Sequence, residues 1–266
     1  MTLFDAEAAP VEAPVRSRLR MTVAYDGTDF RGFAAQGGDV RTVAGALGGA
    51  VERVLGHPVR FVVAGRTDAG VHAWGNVVHF DSPRAADEID LAALRRSVTK
   101  LLAPAVVIRA VEVAPEGFDA RHSAVGRCYR YTVLNREVPD PFVHRTTWQV
   151  EAPLDLRAMQ AACDPLLGEH DFSSFCRKPP DPSGSNVRRV HDARWLDLGD
   201  GLLRFDIEAS SFCQQMVRSV VGTLAEVGLG RRRAGDMAWT IRCRDRSGAG
   251  QLAPARGLCL WEVRYP

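Results

Sequence analysis

The first part of the chain alternates between strand-like and helical patterns of apolar residues. The predicted strands are residues 18–25, 61–63, 77–80 and 106–113. Thr42 and Asp90 are typical N-cap residues for two intervening helices, which end at Gly56 and Pro104. The apolar faces of these helices are Val43, Leu47, Val51 and Val54, and Leu91, Leu94, Val98, Leu101 and Leu102. The order β-α-β-β-α-β is typical of a ferredoxin-like unit.

A second set of elements follows residues 114–124, whose proline, glycine and charges predict a linker. Its predicted strands are residues 128–134, 146–150, 187–198, 202–208 and 258–265, and its predicted helices are residues 154–167, 212–227 and 237–243. These patterns predict a second α/β unit with an antiparallel sheet. We therefore divide the chain into a disordered tail (1–17), an N-terminal ferredoxin-like domain (18–113), the linker, and a C-terminal α/β domain (125–266).

The loop between the second and third predicted strands is the first candidate for chemistry. It holds one carboxylate, Asp68, two residues after Arg66, and Gly65 and Gly70 permit sharp backbone bends. A nearby guanidinium favours the ionised form of a carboxylate, which suits a nucleophile or a proton acceptor. The same residues are also typical of a turn in which an Arg–Asp pair only fixes the loop. The pattern by itself leaves both interpretations open.

The nine-residue string GRTDAGVHA at 65–73 resembles the active-site signature of the TruA family of tRNA pseudouridine synthases. The acid of that signature is the family's catalytic residue, so the resemblance assigns catalysis to Asp68 and substrate binding to the neighbouring Arg66. His72 belongs to the same string, and we expect it to position the loop.

A second motif supports the same resemblance. Residues 25–36 are similar to the family's YDGT-x-F-x-GWQ-x-Q motif in the RNA-facing part of the first domain. Phe33 stands in place of the motif's tryptophan, and Ala34 in place of its first glutamine. The resemblance implies RNA contacts by Asp29, Phe30, Arg31 and Phe33.

The segment 127–131 matches the family's R-x-YRY motif. In a strand, Tyr129 and Tyr131 share one face, while Arg130 points to the other. The motif assigns Tyr129 to the active site, where its ring can stack on uracil and its hydroxyl can take part in proton removal at C5. Arg127 and Arg130 are then expected to contact phosphate or tRNA. A core tyrosine with solvated arginines is the alternative.

Two further segments in the C-terminal part match the family. Residues 212–222 are similar to its F-x-x-HMVR-x-x-VG helix, with Gln215 in place of the histidine and Arg218 retained. We expect Arg218 to form an ion pair with an aspartate at the floor of the site and to bind substrate. Residues 253–258 match the AP-x-x-GL turn, which implies that Leu258 lies against the target base.

The resemblance extends from about residue 18 to residue 266. It implies an α+β pseudouridine synthase fold, in which two ferredoxin-like α/β halves join their antiparallel sheets around a central active-site cleft. It also implies conversion of uridine to pseudouridine at positions 38, 39 and 40 of the tRNA anticodon stem-loop, by a homodimer without metal or organic cofactor. Two alternatives remain: a synthase of this fold that modifies another RNA position, and a non-catalytic RNA-binding protein or tRNA chaperone.

Composition changes this interpretation little. Of the 34 Lys and Arg residues only Lys100 and Lys178 are lysine, and arginine is the side chain that forks onto phosphate and stacks on bases. The six cysteines are scattered singly, which does not indicate a zinc site or a secreted disulfide framework. No apolar run approaches the roughly 18 residues of a membrane span. We therefore expect a reduced, cytoplasmic protein.

Overall fold

The computed structural model describes residues 15–177 and 185–266, so residues 1–14 of the predicted tail lie outside the described residues. The strands are β1 (Ser17–Tyr25), β2 (Val62–Val63), β3 (His72–Ser82), β4 (Val106–Val113), β5 (Gly126–Leu134), β6 (Trp148–Gln149), β7 (Gly168–Asp171), β8 (Val187–Asp197), β9 (Leu202–Ala209) and β10 (Leu258–Arg264). The helices are α1 (Val43–Leu55), α2 (Leu91–Leu102), α3 (Leu156–Ala161), α4 (Met216–Gly228) and α5 (Asp236–Cys243).

The N-terminal half has the predicted β-α-β-β-α-β order. β1 lies between β4 and β3 and is antiparallel to both, and β2 pairs with β3. This strand order is that of a ferredoxin-like unit, as the pattern predicted. The N-caps are also confirmed, because the side chains of Thr42 and Asp90 accept hydrogen bonds from Gly45 N and Ala93 N.

The C-terminal half repeats the same topology. β5 lies between β10 and β9, β9 pairs with β8, and all of these pairs are antiparallel. α3 lies in the chain between β5 and β8, and α4 between β9 and β10, so this half is a second ferredoxin-like unit. The short strand β7 extends its far edge beside β8. The predicted α+β class with two ferredoxin-like halves is confirmed.

One parallel contact joins the two halves into a single sheet. β2 is short and pairs only with Val78 and His79, which leaves the other end of β3 free to pair with β10. At that end His72 and Ala73 pair with Cys259 and Leu260. Gly75 permits the close approach, because a Cβ there would lie 2.5 Å from the carbonyl oxygen of Trp261. The loop that carries Asp68 therefore runs directly into the junction.

Several predicted boundaries were wrong for local reasons. The helix predicted at 154–167 is split into α3 and a 3₁₀ turn at Asp164–Leu166, where Pro165 has no N–H to donate. The helix predicted at 212–227 begins only at Met216, because Gln215 adopts a left-handed conformation with φ of 65°. Leu101, predicted on the buried face of α2, is 43% exposed.

Two cysteines that are distant in sequence meet in the structure. Cys176 and Cys213 form a disulfide with their Cα atoms 5.7 Å apart, although 37 positions separate them. The scattered spacing of the cysteines gave no signal of this pair, and the expected reduced state is wrong for these two side chains. Within the ranges 15–177 and 185–266, none of the helices has the length and apolar character needed to cross a membrane.

Candidate active site

The Asp68 loop is held from below by a buried polar network. The hydroxyl of Tyr25 lies 2.8 Å from Oγ1 of Thr67, the residue before Asp68. Asn76, which is fully buried on β3, donates from Nδ2 to the Tyr25 hydroxyl at 3.1 Å and to the carbonyl of Gly65 at 2.9 Å. Buried amides and hydroxyls are costly unless paired, so this network fixes the part of the loop that leads into Asp68.

His72 fastens the other end of the loop. Its Nδ1 accepts a hydrogen bond from Gly27 N at 3.0 Å and lies 3.2 Å from Oδ1 of Asp26. Nε2 lies 3.0 Å from the carbonyl oxygens of both Arg145 and Arg256. A single buried imidazole thus connects the turn at residues 27–30, the C-terminal half and the Asp68 loop. This geometry is that of a residue that positions the loop.

The cation beside Asp68 comes from α4. Nη1 of Arg218 lies 3.9 Å from Asp68 Oδ2, and Gln214 donates from Nε2 to Oδ1 at 3.4 Å. The Asp68 side chain is 31% exposed, whereas that of Arg218 is only 14% exposed. Arg66, which the sequence placed beside the carboxylate, is exposed. The expected ion pair of Arg218 with an aspartate is thus formed with Asp68, and it joins the two halves.

Arg218 also holds the turn at 253–258. Its Nε donates to the carbonyl of Ala253 at 2.7 Å, and Ala253 N donates back to the carbonyl of Arg218 at 3.2 Å. Burial lowers the pKa of Arg218, while the charge of Asp68 raises it. A partly desolvated guanidinium next to one carboxylate is a strong local source of positive potential.

Tyr129 forms another side of the site. Its ring meets that of Phe212 edge to face, with centroids 5.0 Å apart. Burial raises the pKa of the phenol, the nearby Arg127 acts against this, and the charge of Asp68 adds to it. The phenol is therefore protonated near neutral pH. On the same face of β5, Tyr131 donates to the carbonyl of Pro254 at 2.8 Å and so also supports the 253–258 turn.

Leu258 starts β10 directly after this turn. It is 6% exposed and belongs to the hydrophobic cluster of the C-terminal half, a cluster that also includes Val71 of the Asp68 loop. In register it faces Tyr131. The structure thus brings Leu258 to the same junction as the loop, with its side chain buried.

Three of the expected RNA contacts are buried. Phe30 and Phe33 are each 2% exposed and pack in the N-terminal hydrophobic cluster, so they support the loop from inside. Arg127 is also buried, and it donates to the carbonyls of Ala64, Arg121 and Ser210. A guanidinium used in this way stabilises the fold and is not free to bind phosphate.

The other expected contacts have different surroundings. Arg130 lies 3.6 Å above the ring of Trp261 and 3.7 Å from Asp206, on the sheet face opposite Tyr129. Asp29 and Arg31 are exposed and line a cavity of about 470 Å³ beside the loop. The lining residues are Thr28, Asp29, Phe30, Arg31, Ala69 and Gly70.

The sequence analysis missed several residues that shape the site. Gln214 lies within a recognised motif but was passed over for its neighbour Gln215. Asn76 had a usable signal, because a polar side chain inside an apolar strand pattern predicts a buried hydrogen-bonding role. Arg145 had no such signal, because the partner of its Nη2, the carboxylate of Asp29 at 2.8 Å, is 116 positions away in the sequence.

Within the described ranges, no cluster of three or more His, Cys, Asp or Glu side chains is arranged to hold a metal ion.

Comparison with known proteins finds a matching family model and several similar proteins. A family model described as tRNA pseudouridine synthase matches residues 162–266. A tRNA pseudouridine synthase A of Brevibacillus brevis is 41% identical over 93% of this chain and 99% of its own length. Proteins of the same name from Frankia casuarinae and Myxococcus xanthus are 43% and 42% identical, over 94% and 93% of this chain and 89% and 92% of their own lengths. A solved Cbf5-Nop10-Gar1 complex matches with a TM-score of 0.32 and 14% identity, over 79% of this chain and 44% of that chain.

Proposed function

The chain belongs to the tRNA pseudouridine synthase A family, and we propose that Asp68 is the catalytic residue with which it isomerises uridine to pseudouridine in tRNA. The observation that carries the assignment is the setting of Asp68. It is a partly exposed carboxylate on a loop held by hydrogen bonds, and it faces a partly buried guanidinium from the other half of the molecule. We place the target in the anticodon stem-loop, at positions 38, 39 and 40.

The reaction is an isomerisation and needs few groups. The glycosidic C1′–N1 bond breaks, the uracil rotates, a C1′–C5 bond forms, and the C5 proton leaves while N1 regains one. An ionised Asp68 either attacks C1′ or assists proton loss from the ribose to give a glycal. Both routes require a carboxylate held in a fixed position, which the network under the loop provides. Both routes therefore remain open for Asp68.

Arg218 is proposed to orient the Asp68 carboxylate. Gln214 is proposed to assist it, because its amide reaches the other carboxylate oxygen. Since Arg218 also fixes the 253–258 turn, the same side chain couples the acid to the segment that ends at Leu258. Leu258 is proposed to lie against the target base.

Tyr129 is proposed to contact the uracil with its ring and to assist removal of the C5 proton. Because burial keeps the phenol protonated, its hydroxyl can take up the C5 proton only if its own proton moves on. We propose Asp68 as the acceptor of that proton, because its carboxylate belongs to the same site. This makes Tyr129 a relay between C5 and the carboxylate.

The target uridine must leave the base stack to reach Asp68, at a cost of about a few kcal/mol. Contacts to the flanking RNA offset that cost. Arg31 and Arg66 are exposed on the two loops that border the site, so we assign them to phosphate binding. We also propose that the protein acts as a homodimer, in which one tRNA contacts both subunits. Sedimentation at micromolar concentration tests the oligomeric state.

Asp68→Asn and Asp68→Ala test the assignment. With tRNA that carries tritium at C5 of uridine, both variants should release no tritium and should bind tRNA nearly as tightly as the wild type. Asp200→Asn is a matched control: this exposed aspartate lies in the turn between β8 and β9 with φ of 51°, which asparagine tolerates equally well. Turnover by either Asp68 variant would remove this residue from the mechanism.

Mapping of modified sites decides the position. RNA from a deletion strain should lack pseudouridine at positions 38–40 and regain it with the wild-type gene but not with the Asp68→Asn gene. Loss at other positions would identify a synthase with a different target. A deletion strain with unchanged modification, together with tight tRNA binding, would favour a non-catalytic RNA-binding protein.

A further inference from the structure

The loop between β5 and β6 exposes one aromatic side chain at its tip. Phe142 is 95% exposed. Among the phenylalanines of the described residues it is the only exposed one, since the others are buried or half-buried. Full burial of a phenylalanine is worth about 1.5–3 kcal/mol, so a ring left entirely in water is a feature to explain.

The loop is built to hold this ring outward. Asp140 accepts a hydrogen bond from Phe142 N at Oδ1 (2.9 Å) and one from Arg136 at Oδ2 (2.9 Å). His144 lies with Nδ1 2.7 Å from the carbonyl of Pro141. The segments before and after Phe142 are therefore closed by their own hydrogen bonds. A rigid loop keeps the ring from folding back onto the protein, and it lowers the entropy lost when the ring binds a partner.

The same loop contacts the residues that line the cavity beside the Asp68 loop. Three residues after Phe142, Arg145 forms ion pairs with Asp26 at 3.3 Å and with Asp29 at 2.8 Å. Asp29 lines the cavity next to the Asp68 loop, and the carbonyl of Arg145 lies 3.0 Å from Nε2 of His72. The loop of Phe142 is thus connected to the Asp68 loop through the Arg145–Asp29 ion pair and through the contact of Arg145 with His72.

We propose that Phe142 is a stacking platform for an unpaired or flipped-out base of the RNA, at a distance from the target uridine. A flat ring held out in water beside an RNA site fits the face of a base, and such stacking is tolerant of sequence. The inference rests on the proposed function only in taking RNA as the ligand. It assigns no part of the chemistry to Phe142.

Equilibrium tRNA binding tests the platform, measured in the Asp68→Asn background so that the RNA stays unmodified. Phe142→Ala and Phe142→Leu should bind tRNA roughly 5- to 100-fold more weakly, as expected for the loss of one base–aromatic stack. Phe142→Trp should retain full affinity. Val138→Ala is the matched control, because Val138 is 68% exposed in the same loop but is not aromatic, and it should bind like the parent.

Salt dependence distinguishes stacking from a lost charge or a damaged fold. The slope of log Kd against log salt concentration should be the same for Phe142→Ala and its parent, because no phosphate contact is removed. The melting temperature should also be unchanged, because the Phe142 ring is 95% exposed and so contributes little to packing. Equal affinity of Phe142→Ala and its parent would overturn the proposal. So would full affinity of Phe142→Leu, or a change of oligomeric state in Phe142→Ala without RNA, which would identify a protein contact.

Failure of this proposal and failure of the proposed function are separable. If the wild type forms no pseudouridine in any tRNA, the proposed function is wrong, whatever the Phe142 variants do. If the wild type forms pseudouridine and the Phe142 variants bind tRNA normally, only the platform is wrong.

Discussion

Replacement of Arg218 by glutamine is the most direct test of the site, because Arg66 is the neighbour of Asp68 in sequence but Arg218 is the arginine that forms an ion pair with it. The Nη1–Oδ2 distance is 3.9 Å. At that separation two unit charges interact by about 1 kcal/mol in bulk water and about 4 kcal/mol at an effective dielectric constant of about 20. Asp68 is 31% exposed, so solvent screening keeps the net effect between these limits.

If this interaction serves to hold the carboxylate in its reactive position, its loss slows the chemical step by about 5-fold to several hundred-fold. Arg218→Gln should therefore slow single-turnover conversion of saturating tRNA by such a factor. Glutamine retains an N–H that can donate to the carbonyl of Ala253, so the turn should survive, and thermal melting checks this. Arg66→Gln is the matched comparison. It should weaken tRNA binding and flatten its salt dependence, with a single-turnover rate close to that of the wild type.

Two outcomes would refute this reasoning. One is a wild-type single-turnover rate for a folded Arg218→Gln protein. The other is a slower chemical step in Arg66→Gln than in Arg218→Gln, which would mean that the exposed arginine moves to the carboxylate when RNA binds.

Other substitutions test the remaining contacts. Arg127→Leu should lower the free energy of unfolding, measured in urea, by about 2–4 kcal/mol, because the buried carbonyl of Ala64 loses its donor at about 1–3 kcal/mol and the part-buried carbonyls of Arg121 and Ser210 add less; a flatter salt dependence of tRNA binding would instead reveal a phosphate contact. Asn76→Ala should cost a similar amount and slow turnover, and Asn76→Asp, which lacks the N–H, should not rescue it. Tyr129→Phe should slow single turnover by roughly 10²–10⁴-fold if the hydroxyl moves the C5 proton; a full rate would leave the ring only a stacking role. Activity on folded tRNA should survive EDTA, and loss that is restored by a divalent ion would contradict a metal-free mechanism.

The sequence by itself determined the local elements and the chemical signature. Alternation and helical spacing predicted the N-terminal ferredoxin-like half and, after it, an α/β unit with an antiparallel sheet, because a strand or helix buries the residues that its own period places on one face. That the second half is also ferredoxin-like was implied by the family resemblance. Thr42 and Asp90 could be identified as caps because an N-cap acts on backbone three residues away. Asp68 was found because its neighbours in sequence form a specific string. The domain boundaries at 113 and 125 remain predictions.

The tertiary structure alone decided which side chains meet. Gln214 reaches Asp68 across 146 positions of sequence, and the docking of the two halves, with the β3–β10 pairing as its backbone part, brings them together. The sequence pattern also could not decide whether a motif residue faces RNA or the interior, and Phe33 and Arg127 are in fact buried. Nor could it predict that Phe142 is exposed. The physical reason is the range of the interactions. Caps, turns and periodic burial are set within a few residues, whereas an ion pair or a packed core depends on how distant segments are docked.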